Sequence, residues 1–371
     1  MKTPKEMYDE HLGRLKKALN FEEIDRPPIS MSPTEPLARY MGVKMADFIT
    51  DTERANVLCL LGLVLLGKGE IDSGGASNWP PFREVNMQMK LPGRDLGEDD
   101  LWQVVESEVM LESDYDVVLE KGWAYYEAEH SKRIGDGKAA ERQKEIAPTL
   151  MKLSGYARSV GLAGIGAGVM TSPPIDTLMS WRSMPVFMRD LHRIPEKVIA
   201  VMDVMMEEKM AAWRKQLQAF PTKPMSIMSG GGRTTFVSPK IFERFDLPYR
   251  MQIINMLIEE GVMVMLHYDC NWDERIEPYV KNYPKKKCIL QLDGTTNIFR
   301  AREILGDDMA IQGDVPDWML ALETPDVVYN YVRRLVTEVG PKGFILSTGC
   351  MAPPNAKMDN LEAMVLAGIG K

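Results

Sequence analysis

From residue 160 onward the chain repeats one pattern: a short, unbroken apolar run, a polar cluster, then a longer stretch with helical spacing. The runs are VGLAGIGAGVM (160–170), PMSIM (224–228), VMVML (262–266), CILQL (288–292), MAIQG (309–313) and GFIL (343–346). None alternates with polar residues, as expected of strands buried on both faces. Between them the sequence predicts a helix from Pro195 to roughly Ala219. SPKIFERFDLPYRMQIINMLIEEG reads as a helix pair that starts at a Ser238 cap and stops at Gly261. Further helices are expected over DERIEPYVKNY, TTNIFRAREILG, TPDVVYNYVRRLVTEVG and KMDNLEAMVLAG. Such alternation predicts parallel strands joined by crossover helices.

The first half is less regular. Residues 1–20 read as an amphipathic helix, and Pro27–Pro28 ends helix and starts an extended run. LCLLGLVLLG (58–67) is the most apolar stretch, and its ten residues are half of what a bilayer span needs. It is expected to be a buried helix. Residues 70–100, including SGGASNWPPF, are rich in Gly, Pro, Asn and Asp and predict loop with short strands. Residues 100–160 are charged and mostly helical in pattern, with breaks at Gly135 and Gly137.

Alternating strands and helices suit a closed barrel or an open doubly wound sheet. The polar residues that follow the strands decide between them. VMVML is followed by His267, Tyr268, Asp269 and Cys270, CILQL by Asp293, MAIQG by Asp314, and GFIL by Ser347, Thr348, Gly349 and Cys350. Barrel enzymes build their sites from several strand C-termini, whereas an open sheet concentrates ligands at one switch point. The expected architecture is therefore a (β/α)8 TIM barrel over residues 1–371 as one domain. An N-terminal helix would span about 1–25, and variable insertions about 70–160.

Composition narrows the partners. The 371 residues carry a net charge of −8 with 45% hydrophobic residues, which argues against nucleic acid and suits a cytoplasmic protein. No secretory signal or membrane span is read in the sequence. Four cysteines far apart (59, 270, 288 and 350) predict free thiols. Cys59 and Cys288 lie in apolar runs and read as structural. His11, His130 and His192 lie in charged stretches and read as solvated. The 28 methionines fill irregular core gaps or line a soft apolar pocket. GLAGIGAG (161–168) lacks the frame of a dinucleotide fingerprint and reads as a closely packed strand. SGGGR (229–233) suits an anion cradle or a loop over the site.

His267 and Cys350 are the candidate metal ligands. Imidazole and thiolate both bind zinc well, and a catalytic zinc takes three protein ligands and one open position. In an extended segment residues two apart share a side, so Asp269 is the better-placed third ligand. Cys270 is the alternative, and it needs a turn.

These residues carry a resemblance. RLKKALNFEEIDRPPI, SPKIFERFDLPYRMQIINMLIEEGVMVMLHYDCN, LDGTTNIFRAREILGDDMAIQGDVP and GFILSTGCMAPPNAKMDNLEAM resemble the uroporphyrinogen decarboxylase superfamily, in particular its corrinoid-dependent methyltransferase branch. The resemblance is good over roughly 236–366 and at the N-terminal helix, and poor across 70–160. It implies a (β/α)8 barrel and a zinc site of a His-x-Cys pair with a distant Cys. His267 and Cys350 match that pattern, and Asp269 stands where the middle Cys is found. A His, Asp, Cys set leaves a harder zinc than a sulfur-rich set, better suited to oxygen than to a thiol.

Chains with Asp at this position resemble the methyltransferase I component of bacterial aryl ether O-demethylases. That likeness implies transfer of methyl from a phenyl methyl ether to cob(I)alamin on a separate corrinoid protein. The zinc would bind the ether oxygen, while Asp293 and Asp314 would orient ligands or hold hydrogen bonds to the groups behind them. Trp79 and several Met would hold the aromatic ring. The alternatives are a methylcorrinoid:thiol methyltransferase with a coenzyme M-like acceptor, for which Cys270 is the expected ligand, and a uroporphyrinogen-type decarboxylase. The decarboxylases carry an Arg-rich N-terminal motif, and the matching stretch here, SMSPTEPLARYMG, holds Arg39 alone.

Overall fold

The computed structural model describes residues 2–75, 87–134, 137–231 and 235–371. Eight parallel strands form one sheet: β1 (Ile29–Met31), β2 (Ser73–Gly74), β3 (Gly166–Thr171), β4 (Ser226–Gly230), β5 (Met263–Tyr268), β6 (Cys288–Leu292), β7 (Ala310–Val315) and β8 (Phe344–Thr348). Their order is β2-β1-β8-β7-β6-β5-β4-β3, so each strand lies beside its neighbours in the chain. The sheet curls until its two ends meet. Ser73 forms a parallel bridge with Ala163, just before β3, and the Ala163 amide donates to the Asp72 carbonyl at 2.9 Å. The architecture is α/β and TIM-barrel-like, without the reversal of strand order that marks a doubly wound sheet.

Side-chain alternation divides inside from outside. Leu15, Leu19, Ala163, Ile165, Met265, Ile289, Ala310 and Ile345 form one buried cluster. The two leucines belong to the helix Pro4–Leu19, which therefore closes the N-terminal end of the barrel. That helix starts with a reciprocal Thr3–Glu6 capping box and Pro4, as its sequence dictates. The outward strand residues, among them Val264, Leu266, Leu290, Ile311 and Leu346, belong to the larger cluster beneath the surrounding helices.

A buried ion network fastens the plug. Asp72 is fully buried beside β2. It accepts from Arg14 of the N-terminal helix, from Arg26 at 2.6 Å, and from the Ile29 amide at 2.8 Å. Arg14 also holds Asp25 through two hydrogen bonds of 2.9 and 3.0 Å.

Most expected elements form, with four differences. The stretch expected as one helix over DERIEPYVKNY is helical only at Asp273–Ile276, with a 3-10 turn at Val280–Asn282. Pro278 explains the break, because it lacks a donor and disfavours helix at Glu277. The apolar helix Thr52–Gly67 is buried on one side only, and Leu61 and Leu65 are 42% and 59% exposed. His11 and His130 are buried rather than solvated. His11 Nδ1 lies 2.8 Å from the Gly161 carbonyl, and His130 stacks on Trp181 at 3.7 Å. Charged neighbours in sequence do not settle burial: Arg14, three residues after His11, is buried as well. Finally, His267 and Asp314 lie within their strands, β5 and β7, not beyond them.

His192 is exposed, and Cys59 and Cys288 are buried with thiol pKa values pushed up to about 12, chiefly by burial. Trp79, Gly135, Gly232 and Arg233 lie outside the described residues. Among the described residues no helix is long and apolar enough to cross a membrane.

Candidate metal centre

Parallel strands put every strand C-terminus on one rim, and His267, Asp269 and Cys350 meet there. His267 is the fifth residue of β5, and Asp269 follows two residues later on the same side of the extended chain. Their atoms Nε2 and Oδ1 are 3.3 Å apart. Cys350 arrives from the loop after β8 and places Sγ 3.7 Å from the same Nε2. Gly349 makes that approach possible, since a Cβ there would fall 2.3 Å from the Asp293 carbonyl oxygen.

The ligand atoms of His267, Asp269 and Cys350 all lie within 4.8 Å of one another, and Cys270 is not in the group. Zinc–ligand bonds of about 2.0–2.3 Å at tetrahedral angles put neighbouring ligand atoms about 3.3–3.6 Å apart. The two separations measured from His267 Nε2 match that spacing. The residues therefore fit a zinc ion, with borderline and hard donors and one soft sulfur.

The surroundings hold His267 and Asp269 in place. His267 Nδ1 lies 2.8 Å from Gln291 Oε1, across the register pair His267–Gln291 of β5 and β6. The Asp269 carbonyl accepts from Trp272 Nε1 at 3.0 Å, and the fully buried Trp272 stacks on Tyr268 at 3.9 Å. Cys270 turns the chain with φ of +64°, and its amide donates to Asp293 Oδ2 at 2.7 Å. Asp293 Oδ1 accepts from the Thr295 amide at 2.9 Å and its hydroxyl at 2.5 Å. Asp293 thus shapes the turn that carries Asp269. Asp314 is buried and accepts from Tyr331 of the outer helix Pro325–Arg334 at 2.7 Å.

Electrostatics favour a cation at this spot. Burial pulls the His267 pKa down, but Cys350, Asp269 and Gln291 outweigh it and bring it up to about 9. Nearby carboxyl pKa values also rise, toward the neutral form. Asp314 rises to about 8, through burial and then the Asp293 charge, against the Tyr331 hydrogen bond. Asp317 rises to about 6 through burial, Asp293 and Asp269, and its Oδ1 is buried without a hydrogen-bond partner.

Sequence reasoning missed Gln291 and Asp317. Gln291 interrupts the apolar run CILQL with an amide, and Asp317 opens the helix that follows β7 after Pro316. Each carries a weak signal, a polar residue at a strand end, and neither discloses its partner.

Comparison with known proteins follows the same residues. The uroporphyrinogen decarboxylase (URO-D) family model matches residues 163–368. Uroporphyrinogen decarboxylases of Syntrophotalea carbinolica and Geotalea daltonii are 26% and 29% identical over 178 residues, 48% of this chain and 50% of each relative. That of Citrifermentans bemidjiense is 30% identical over 156 residues, 42% of this chain and 43% of its own. The chain thus spans about half the length of these curated relatives. A solved methyltransferase from Methanosarcina mazei shares the fold with a TM-score of 0.67 at 15% identity, covering 99% of this chain and 98% of that one. The family model covers more than half of the chain, including the loops after β5, β6, β7 and β8 and both His267 and Cys350, and this chain belongs to the uroporphyrinogen decarboxylase family.

Proposed function

We propose that this chain, working as one barrel domain, is a zinc-dependent methyltransferase. It takes a methyl group from a methoxylated aromatic and delivers it to cob(I)alamin on a separate corrinoid protein. The observation that carries the reading is the convergence of His267, Asp269 and Cys350 on one point, with a single sulfur among them. Zinc bound there supplies Lewis acidity toward an ether oxygen, which turns a phenoxide into a workable leaving group. His267 and Cys350 hold the ion from two strands on opposite sides of β6 and β7. Asp269 adds a hard donor and negative charge, and Asp293 keeps its turn in place. Asp314 orients Tyr331 and the helix behind the rim. The fold-level likeness to a methyltransferase supports this direction and does not name a substrate.

The thiol-acceptor reading needs Cys270 as a ligand, and Cys270 is not in the cluster. Decarboxylation is the second reading, favoured by the named activity of the curated relatives. It needs cationic groups for substrate carboxylates on the loop after β1. In the helix Thr34–Tyr40 that follows β1, Arg39 donates to the Pro354 carbonyl at 3.0 Å, and it is the only arginine of SMSPTEPLARYMG.

The test is metal analysis of the purified chain and of His267→Ala, followed by incubation with a corrinoid protein in the cob(I)alamin state and a panel of methoxyarenes. Stoichiometric zinc lost in His267→Ala, and a spectral change to methylcobalamin with at least one methoxyarene, are expected. Zinc unaffected by His267→Ala, or consumption of uroporphyrinogen without methyl transfer, overturns the proposal.

A further inference from the structure

The two nitrogens of His267 face different surroundings. Nε2 faces Asp269 Oδ1 and Cys350 Sγ, at 3.3 and 3.7 Å. Nδ1 lies 2.8 Å from Gln291 Oε1. A neutral imidazole carries one N–H and one lone pair, and an amide oxygen only accepts. The pairing with Gln291 therefore puts the proton on Nδ1 and leaves the Nε2 lone pair aimed at the ligand cluster. Gln291 is itself buried, and its Cα partners across the sheet are His267 on β5 and Gln312 on β7.

We propose that Gln291 is the positioning residue of the metal centre, holding His267 as its Nδ1–H tautomer through a neutral amide. The inference rests on the zinc reading above and adds a reason for the centre's acidity. Histidine ligands commonly donate their second nitrogen to a carboxylate, which draws on the proton and makes the ring a stronger donor. An amide fixes the same geometry without that push. With Asp269 ionised and Cys350 bound as thiolate, the ligand charges already balance a dication. A carboxylate at position 291 would add a third negative charge and soften the ion's pull on an ether oxygen.

The test measures zinc affinity by chelator competition on the full chain, in the wild type, Gln291→Met and Gln291→Glu. Met is close in shape and cannot accept the hydrogen bond, so Gln291→Met should bind zinc about 10–100-fold more weakly. Gln291→Glu should restore the affinity to the wild-type value or above. Proton–nitrogen NMR of the zinc-loaded wild type needs no variant, and should show a protonated Nδ1 and a metal-bound Nε2 on His267. Unchanged affinity in Gln291→Met, or a metal-bound Nδ1, overturns the assignment while leaving the zinc reading intact. A wild-type chain that takes up no zinc overturns both.

Discussion

Replacing Asp72 by Ala should lower the melting temperature of this protein by about 4–6 °C. Asp72 is fully buried and serves three donors: Arg14, Arg26 and the Ile29 amide. Taking one partner from a buried ion pair costs about 3–5 kcal/mol, because the charge left behind is no longer solvated. Arg14 keeps Asp25 and Glu10, and Arg26 keeps Glu70, which holds the loss toward the lower end. An unfolding entropy of roughly 2.1 cal/mol/K per residue over 371 residues amounts to about 0.8 kcal/mol/K, and the ratio gives the temperature shift. Calorimetry measures the shift, and amide hydrogen exchange over Pro4–Leu19 locates it. The control is Asp25→Ala. Asp25 makes two hydrogen bonds to the same guanidinium, but its side chain is 65% exposed, so its loss should cost under about 1 kcal/mol. Equal effects of the two substitutions, or a shift near zero for Asp72→Ala, would refute the claim that burial makes this network the fastening of the barrel's N-terminal plug.

Two further outcomes follow from the rim. Asp314 has a folded pKa of about 8, above the ordinary carboxyl value, so the folded state holds a proton that the unfolded state has released between about pH 4 and 8. Stability from this group is therefore present at low pH and lost as pH rises through that window, by at most about 1.4 kcal/mol per pH unit. Asp314→Asn should flatten that loss in urea melts at pH 5 and pH 8, and parallel pH dependences for the two proteins would count against the buried-carboxyl account. Asp293→Ala removes the acceptor for the Cys270 amide and for Thr295, so it should loosen the Asp269 turn and weaken zinc binding about tenfold or more with little change in global stability. Zinc affinity equal to wild type would show that the turn holds without it.

Local pattern carried much of the fold. Unbroken apolar runs such as CILQL and VMVML identify strands because a strand buried on both faces has no polar side to show. Ser238 and Asn297 cap helices through their own side chains, and Pro4 and Pro278 act on their own backbones. These signals need no distant partner. The candidate ligands were legible for a similar reason: His267 and Asp269 share a side by the strand's period of two, and Cys350 sits at a strand end in a chain where strand ends converge.

What only the tertiary structure decided concerns groups whose meaning lies in a distant partner. Gln291 looks like a flaw in an apolar strand until β5 lies beside it and His267 Nδ1 comes within 2.8 Å. Cys270 and Asp269 are adjacent in sequence, and the turn held by Asp293 separates their positions, with Asp269 in the candidate cluster and Cys270 outside it. His11 and His130 sit among charges in sequence, yet face inward onto Gly161 and Trp181. Leu61 and Leu65 belong to an apolar helix that packs on one side only. Among the described residues, the two ends of the sheet meet at the bridge between Ser73 and Ala163, ninety positions apart. Hydrophobic periodicity states which faces avoid water. It does not state which face meets which, because contacts between distant segments are set by packing of the whole ring and leave no mark in a local window.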